Sequence, residues 1–310
     1  MPDDADEAHE ADRSPRADDA HEAAEREAAE AAEAASLFAH PELTPDATAS
    51  YGEHPDQVVD FWAPHDGRSG SPLVAVLHGG AWRERYDRRH LTPFADFLAR
   101  RGFAVALVEY RRGPGLPEQG RPPRAGRWPE TFDDVATAVD ALPELARRAL
   151  PGADPSRTVL TGHSAGGHLA LWAAARHNLP ADAPWYRAAA PPLRGVVALA
   201  PLADLVLARE GKVCEGAAEQ FLGGPERFGG RLPYADPVAL LPTGIATTLV
   251  HGREDREVPP EIADSFAEAA AAAGELVGVT LLEDVGHFPL VDPAADACAV
   301  VAEEIAQLAW

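Results

Sequence analysis

Residues 160–168 read LTGHSAGGH, within which Gly162, Ser164 and Gly166 form a Gly-x-Ser-x-Gly pattern. The apolar run TVLTG before the serine is typical of a buried strand, and GGHLALWAAAR after it is typical of a helix. A tight turn from strand to helix lifts a serine hydroxyl above the edge of a sheet, and flanking glycines let the helix pack close to the strand. The pattern predicts that Ser164 is a nucleophile, with an ordinary helix-capping serine as the alternative.

Short apolar runs alternate with longer helical runs from residue 57 onward. The strand candidates are QVVDFWAP (57–64), LVAVLHGG (73–80), FAVALVEY (103–110), RTVLTGHS (157–164), GVVALAP (195–201), TTLVHG (247–252) and VTLLEDV (279–285). Several of them are apolar throughout, as strands covered on both faces are. The alternation predicts an α/β fold with a mostly parallel central sheet and helices on both faces.

Two segments interrupt this alternation. Residues 113–129 are rich in Pro, Gly and Arg, which predicts a surface loop. Residues 204–242 lie between the strand candidates at 195–201 and 247–252 and are longer than an ordinary crossover. Because long ordered insertions often form lids or binding loops, we predict a short cap insertion here, after the sixth strand.

The N-terminal segment differs in composition from the rest of the chain. Residues 1–36 hold 13 acidic and 3 basic side chains and contain almost no large apolar residue. The first half cannot bury enough surface to offset the entropy of ordering, whereas the Ala/Glu-rich second half has high helix propensity. We therefore predict an acidic tail over 1–36, disordered or a solvated helix, and an α/β domain over 37–310. The predicted role of the tail is a solubilising extension, with an interaction arm as the alternative.

Overall composition excludes several classes of partner. The 310 residues carry a net charge of −23, so an acidic surface would repel nucleic acid. The N-terminus lacks the apolar segment of a secretory signal, and the apolar run at 196–208 is too short and interrupted to span a bilayer. Cys214 and Cys298 lie far apart without metal-ligand spacing. These features predict a soluble, cytoplasmic protein without membrane contact, disulfide or metal.

A serine nucleophile needs a base within hydrogen-bond reach. Of the twelve histidines, His287 has the best setting, because VGHFPL follows the last strand candidate, where loops converge on the carboxyl edge of the sheet. His251 ends a strand, and His163 and His168 flank Ser164, which favours packing or capping roles for them. We predict that His287 is the base.

The base in turn needs a carboxylate that orients it. Three carboxylates follow the strand at 247–252, namely Glu254, Asp255 and Glu257. The turn before the helix at Pro259 should aim one of them inward, and we predict Asp255; Asp284 and Asp292 are local to the histidine and better suited to capping turns. The resulting chain order of serine, aspartate and histidine is that of α/β-hydrolases.

Stabilising the negative oxygen of an attacked carbonyl requires N–H donors. HGGAW (78–82) follows the apolar run LVAVL, and its glycines allow backbone N–H groups to turn toward the serine. We predict an oxyanion hole from Gly79, Gly80, Ala81 and Ala165, with the amide of Gly80 or Ala81 as one donor and that of Ala165 as the other. His78 is predicted to brace this loop.

Six stretches together resemble the α/β-hydrolase superfamily: HGGAW (78–82), VEYRRGPG (108–115), WPETFDDVATAV (128–139), GHSAGGHLALWAA (162–174), HGREDREVP (251–259) and GHF (286–288). More narrowly they resemble the HGG-motif esterases and the kynurenine formamidase (arylformamidase) branch. The resemblance runs from about residue 55 to the C-terminus. It implies Ser164, Asp255 and His287 as the triad, the HGG loop with Ala165 as the oxyanion hole, and no metal or organic cofactor.

The resemblance implies hydrolysis of a small carboxylic ester or aryl formamide through an acyl-enzyme. Trp82 and Tyr86 are the predicted substrate contacts, Trp185 and Tyr186 are weaker candidates, and core packing is the alternative for all four. A serine peptidase of the prolyl-oligopeptidase type is a second hypothesis, disfavoured because 310 residues leave no room for a large propeller. A non-catalytic binding protein on the same scaffold is the third. The oligomeric state and the physiological substrate stay open.

Overall fold

The computed structural model describes residues 15–113 and 125–310. The predicted disorder of the first tail residues and most of the predicted 113–129 loop lie outside the described residues. Within the described ranges one sheet contains eight strands: β1 Ala47–Ser50, β2 Val58–Trp62, β3 Ser71–Leu77, β4 Ala104–Val108, β5 Ala153–His163, β6 Gly195–Leu199, β7 Thr247–Gly252 and β8 Gly278–Leu282.

The sheet has the order β1-β2-β4-β3-β5-β6-β7-β8. β1 and β2 pair antiparallel, as do β2 and β4, and the remaining neighbours pair in parallel. Every residue of β3, β4 and β6 is buried, which explains their continuously apolar sequences. The predicted mostly parallel sheet is confirmed. β1 is additional, since ATAS is short, small and half-exposed and carries no apolar signal.

Helices cover both faces of the sheet, as predicted. They are α1 Pro15–Ala39, α2 Thr92–Arg100, α3 Glu130–Ala149, α4 Ala165–Ala174, α5 Leu205–Glu210, α6 Val213–Phe221, α7 Pro225–Ala235, α8 Glu261–Ala272 and α9 Asp296–Ala309. Leu73 and Leu77 of β3 pack into one core with α3, α4 and α8, whereas Val74 and Val76 pack into the other with α2 and α9. Alternate residues of one strand therefore supply two separate cores.

The predicted insertion at 204–242 follows β6, the sixth strand, and contains α5, α6 and α7. Two side chains of α4 form hydrogen bonds with backbone carbonyls of the insertion. Trp172 Nε1 donates to the carbonyl of Tyr234, and His168 Nε2 lies 2.9 Å from the carbonyl of Ala235. The segment is therefore fixed against the helix that follows Ser164.

Helix α1 continues beyond the change in composition at residue 36 and ends at Ala39. Its C-terminal end packs on the domain, because the Leu37 side chain is buried in the same core as α2 and α9. Ser36 Oγ donates to Asp292 at 2.6 Å, and Glu33 accepts a hydrogen bond from the backbone N–H of Gly286. The end of this helix is thus in contact with the loop that follows β8.

The turn around Ser164 depends on close contact between backbones. A Cβ on Gly166 would lie 2.1 Å from the carbonyl oxygen of Leu77, and one on Gly162 would lie 2.3 Å from that of Gly166. Ser164 itself has φ 56° and ψ −120°, a positive-φ conformation that residues other than glycine rarely adopt. The two glycines allow α4, β3 and β5 to approach closely enough to hold this strained turn.

Replacing Gly166 with alanine should destabilise the protein by roughly 1–3 kcal/mol or more, because the new methyl group overlaps backbone atoms that cannot rotate away. The midpoint of urea unfolding measures the effect. Gly229→Ala is a matched control, since Gly229 is an exposed position of helix α7 with no atom within 4 Å of its Cβ position. The control should be neutral or more stable by about 0.4–1 kcal/mol. Equal midpoints for the two variants would contradict the packing role of Gly166.

Candidate active site

Parallel strands bring the three predicted triad residues to one edge of the sheet. Ser164 lies between β5 and α4, Asp255 follows β7, and His287 follows β8. Gly252, at the end of β7, allows the last two loops to touch, because a Cβ there would lie 2.2 Å from the carbonyl oxygen of Val285. Glu254 N–H also donates to that carbonyl. The Asp255 turn and the His287 loop are therefore held against each other.

Asp255 and His287 form a buried hydrogen-bonded pair. His287 Nδ1 lies 2.6 Å from Asp255 Oδ2, and the other carboxylate oxygen accepts a hydrogen bond from Val258 N–H at 2.8 Å. His251 Nε2 lies 3.3 Å from Asp255 Oδ2 and 2.8 Å from the carbonyl of Val258. The carboxylate is thus held by contacts on both of its oxygens.

The environment sets the charges of this pair. Burial alone would raise the pKa of Asp255, but His287 and the contact with His251 hold it well below its usual range. Burial acts to lower the pKa of His287, and the Asp255 carboxylate outweighs it and raises that pKa above its ordinary value. Asp255 is therefore ionised at neutral pH, next to an imidazole that accepts a proton more readily than a free one.

Ser164 and His287 line one cavity of about 430 Å³. No hydrogen bond within the described residues joins the Ser164 hydroxyl to the imidazole of His287, and catalytic hydrogen bonds are often long before substrate binds. The other residues that line the cavity come from α1, the HGG loop and the segment after it, the end of β5, the insertion, the turn after β7 and the His287 loop. They are Leu37, Phe38, Gly80, Ala81, Arg83, Arg85, Tyr86, His90, His163, Cys214, Glu215, Glu257 and Phe288.

The predicted oxyanion residues surround the serine. Gly80 and Ala81 line the cavity, and both have positive φ, at 104° and 50°. Gly79 packs directly beneath the turn, since a Cβ there would lie 3.3 Å from that of Ser164. Ala165 opens α4, where the helix dipole presents its positive end. Backbone N–H groups at these positions are suited to a negatively charged oxygen above Ser164.

A buried ionic network holds the HGG loop. His78 contacts the carbonyl of Gly79 at 2.9 Å through Nδ1 and the Glu109 carboxylate at 2.8 Å through Nε2. Glu109 also accepts hydrogen bonds from Arg112 and from the backbone N–H of Arg88. The Tyr110 hydroxyl donates to the carbonyl of His78. These contacts match the bracing role predicted for His78.

Charge neutralisation in this network lowers the pKa of Glu109. Burial acts to raise the pKa, but His78 and Arg112 outweigh it and bring it to about 2. The carboxylate is therefore ionised throughout the neutral range. Its contribution to stability is complete above the ordinary value of 4.5 and is lost as pH falls toward 2.

His163, for which the sequence favoured a packing or capping role, supports the loop that carries His287. Its Nε2 lies 2.9 Å from the backbone carbonyl of His287, and the two rings lie 4.3 Å apart. Burial, together with His287, holds the pKa of His163 well below its ordinary value, so the ring is neutral. Its Nε2–H therefore donates to the His287 carbonyl and fixes the loop on which His287 lies.

Of the two predicted substrate contacts, one lines the cavity and the other lies in the core. Tyr86 lines the cavity. Trp82 does not line it; the side chain is 0% exposed and its ring stacks on Phe221 of the insertion at 4.3 Å. Of the weaker candidates, Trp185 is buried and Tyr186 is exposed, and neither lines the cavity. Core packing therefore accounts for Trp82, and we do not carry it into the proposed site.

No cluster of three or more His, Cys, Asp or Glu side chains within residues 15–113 and 125–310 could hold a metal ion. No helix in the same ranges has the length and apolar character needed to cross a bilayer.

The sequence of this chain matches a known protein family. The BD-FAE family model matches residues 59–269, more than half of the chain. The chain belongs to the BD-FAE family. The BD-FAE match includes Ser164 and Asp255 and ends before His287, and α1 and β1 precede it.

Relatives and solved structures support the α/β-hydrolase fold of this BD-FAE member. A probable isoprenylcysteine alpha-carbonyl methylesterase, ICME, of Oryza sativa subsp. japonica is 26% identical over 250 residues, covering 76% of this chain and 56% of the relative. The kynurenine formamidase-like hydrolase fscH of Fusarium equiseti is 27% identical, covering 72% of this chain and 79% of the relative. A truncated carbohydrate esterase from gut microbiota superposes with a TM-score of 0.67 at 17% identity, covering 88% of this chain and 97% of that one.

Several curated relatives are longer proteins. The chain spans about half the length of the ICME relative and of two Mycobacterium tuberculosis relatives. The predicted resemblance to the α/β-hydrolase superfamily is confirmed by the family match and the structural likeness.

Glu109→Gln should destabilise the protein by about 3–5 kcal/mol at neutral pH, because it leaves the buried guanidinium of Arg112 without its counter-charge. Urea unfolding provides the free energy. Glu144→Gln is the matched control, since Glu144 is exposed and its ion pairs with Arg147 and Arg148 are worth about 0–1 kcal/mol. The difference between wild type and Glu109→Gln should shrink as pH falls from 4.5 toward 2. A difference independent of pH would contradict the ionic role of Glu109.

Proposed function

We propose that this chain is a serine hydrolase that cleaves small carboxylic esters through an acyl-enzyme, with Ser164, Asp255 and His287 as its triad. The observation that carries the proposal is the buried Asp255–His287 pair, joined at 2.6 Å beside a cavity that both His287 and Ser164 line. The names of the relatives, which include a methylesterase and a formamidase-like hydrolase, support the same class of reaction.

In the proposed reaction, Ser164 Oγ attacks the ester carbonyl carbon and His287 Nε2 takes the hydroxyl proton. The carbonyl oxygen becomes negatively charged and accepts hydrogen bonds from the N–H of Ala165 and from that of Gly80 or Ala81. Collapse of this intermediate breaks the bond to the alcohol, which leaves with the proton from His287. Water then attacks the acyl-serine, with His287 again as base, and releases the acid and free Ser164.

Asp255 supports this cycle from behind the imidazole. Its hydrogen bond with Nδ1 fixes the tautomer in which Nε2 is free to accept the serine proton. The carboxylate also stabilises the imidazolium that forms in each half-reaction. The contacts with Val258 and His251 hold the carboxylate in place, so it does not have to reorganise during the reaction.

The cavity favours a modest substrate with apolar or aromatic character. Its volume of about 430 Å³ lies at the lower end of the range for small-molecule sites. Phe38, Tyr86 and Phe288 present aromatic rings to this space. The same rings support aryl formamides as a second candidate substrate class, because an aryl leaving group would stack against them.

Two further predictions from the sequence belong with this proposal. The net charge of −23 favours small-molecule substrates over nucleic acid. Cytoplasmic localisation stays a prediction.

Ser164→Ala should abolish turnover of p-nitrophenyl acetate, because alanine has no hydroxyl to attack the ester carbonyl. Steady-state release of p-nitrophenolate measures activity, and labelling by a fluorophosphonate probe should be lost in parallel. Ser265→Ala is a matched control, since Ser265 Oγ donates to Asp204 and does not line the cavity. Activity of Ser164→Ala near the wild-type level would overturn the assignment, and an unlabelled wild type would favour the non-catalytic hypothesis.

Activity should fall at acid pH as His287 is protonated, because a charged imidazole cannot accept the serine proton. Since Asp255 raises the pKa of His287, we expect the acid limb of kcat/KM above the ordinary histidine value of 6.5. Asp255→Asn should move that limb to lower pH and reduce kcat by up to ~10⁴-fold. A pH–rate profile of both proteins tests this. A limb at unchanged pH in Asp255→Asn would exclude the proposed coupling.

A further inference from the structure

The end of helix α1 forms part of the cavity wall. Leu37 and Phe38 line the cavity beside Ser164, although they precede the family match at 59–269. The Phe38 ring packs against Tyr86 at 5.8 Å and against Phe288 at 6.2 Å. Phe38 therefore bridges the segment that follows the HGG loop and the His287 loop.

A second cavity lies on the other side of this wall. It has a volume of about 530 Å³ and does not include Ser164 or His287. The two cavities share five lining residues, namely Leu37, Phe38, Arg85, Tyr86 and His90. The rings of Phe38 and Tyr86, which stack with an interplanar angle of 28°, therefore separate the cavity of Ser164 from the neighbouring space.

Contacts on both sides of Phe38 hold it in this position. Ser36 and His40 both bind Asp292, at 2.6 and 2.7 Å. Leu37 is 2% exposed in the core, and one turn earlier Glu33 accepts a hydrogen bond from Gly286 N–H at 3.0 Å. The backbone around Phe38 is thus fixed to the loop that carries His287. A substitution at position 38 therefore changes the ring and leaves these contacts in place.

Phe38 is 45% exposed, so its ring contributes little to the core. An aromatic side chain that is anchored at its backbone, half exposed and placed between two cavities is better explained by the shape it gives the site than by stability. Its removal leaves no buried polar group without a partner and no void inside the core.

We propose that Phe38 is a specificity-determining residue that ends the substrate cavity and restricts the enzyme to esters with short chains. The inference rests on the proposed ester hydrolysis at Ser164. Loss of the ring would join the two cavities, and the enlarged space would accept longer acyl or alcohol chains beside the same triad.

The test compares kcat/KM for p-nitrophenyl acetate, butyrate, hexanoate and octanoate in wild type and Phe38→Ala. The octanoate-to-acetate ratio of kcat/KM should rise by roughly 10-fold or more in the variant. Even one methylene that a closed pocket cannot hold changes kcat/KM by roughly 10-fold. Acetate hydrolysis should persist in Phe38→Ala, because the triad and oxyanion residues are untouched. The effect of the lost ring on binding of the p-nitrophenyl group is common to all four esters and cancels in the ratio. Phe38→Trp should shift the ratio in the opposite direction.

Tyr186→Ala is the matched control, because this aromatic residue is 40% exposed and lines neither cavity. Its chain-length profile should equal that of wild type. An unchanged ratio in Phe38→Ala, with active wild type and unchanged thermal unfolding, would overturn the inference and leave the proposed function intact. A wild type that hydrolyses none of the four esters would overturn both.

Discussion

The structure depends on how closely the backbone of α4 approaches β3 and β5. A side chain at position 166 would overlap the carbonyl of Leu77, and one at position 162 would overlap the backbone of Gly166, so only glycine fits at either position. This contact forces Ser164 into a left-handed conformation at the edge of the sheet. Gly252 makes an equivalent contact with the His287 loop. Steric fit between backbones, more than any one polar bond, therefore sets the positions of the three loops.

Ionic contacts then hold the loops that steric fit has placed. Glu109 fixes the HGG loop through His78, while Asp255 fixes the imidazole of His287. In both cases a buried carboxylate is kept ionised by neighbouring cations or imidazoles, which outweigh the effect of burial on its pKa. Neutral His163 adds a third support on the backbone of the His287 loop. All of these contacts are made within the protein, so the loops are held together without substrate.

Sequence reasoning predicted the sheet well, because buried parallel strands are long apolar runs and Gly-x-Ser-x-Gly requires a strand before it and a helix after it. It missed β1, where ATAS carries no such signal. It placed Trp82 at the substrate, whereas the ring packs on Phe221, more than 130 residues away in sequence. It did not indicate Phe38, because no local pattern marks this residue. The end of α1 is held on the domain by burial of Leu37 and by contacts of Ser36 with Asp292 and of Glu33 with Gly286, more than 250 residues away in sequence.

Phe38 lies in a different part of the chain from the residues that we propose carry out the reaction. Ser164, Asp255 and the HGG loop lie inside the region shared with the BD-FAE family, and His287 lies after it. Phe38, which we propose ends the cavity, lies before it. Changes in the segment before residue 59 could therefore alter which molecules are accepted without disturbing the reacting atoms. In evolutionary terms, selectivity and bond cleavage can diversify independently in such an architecture.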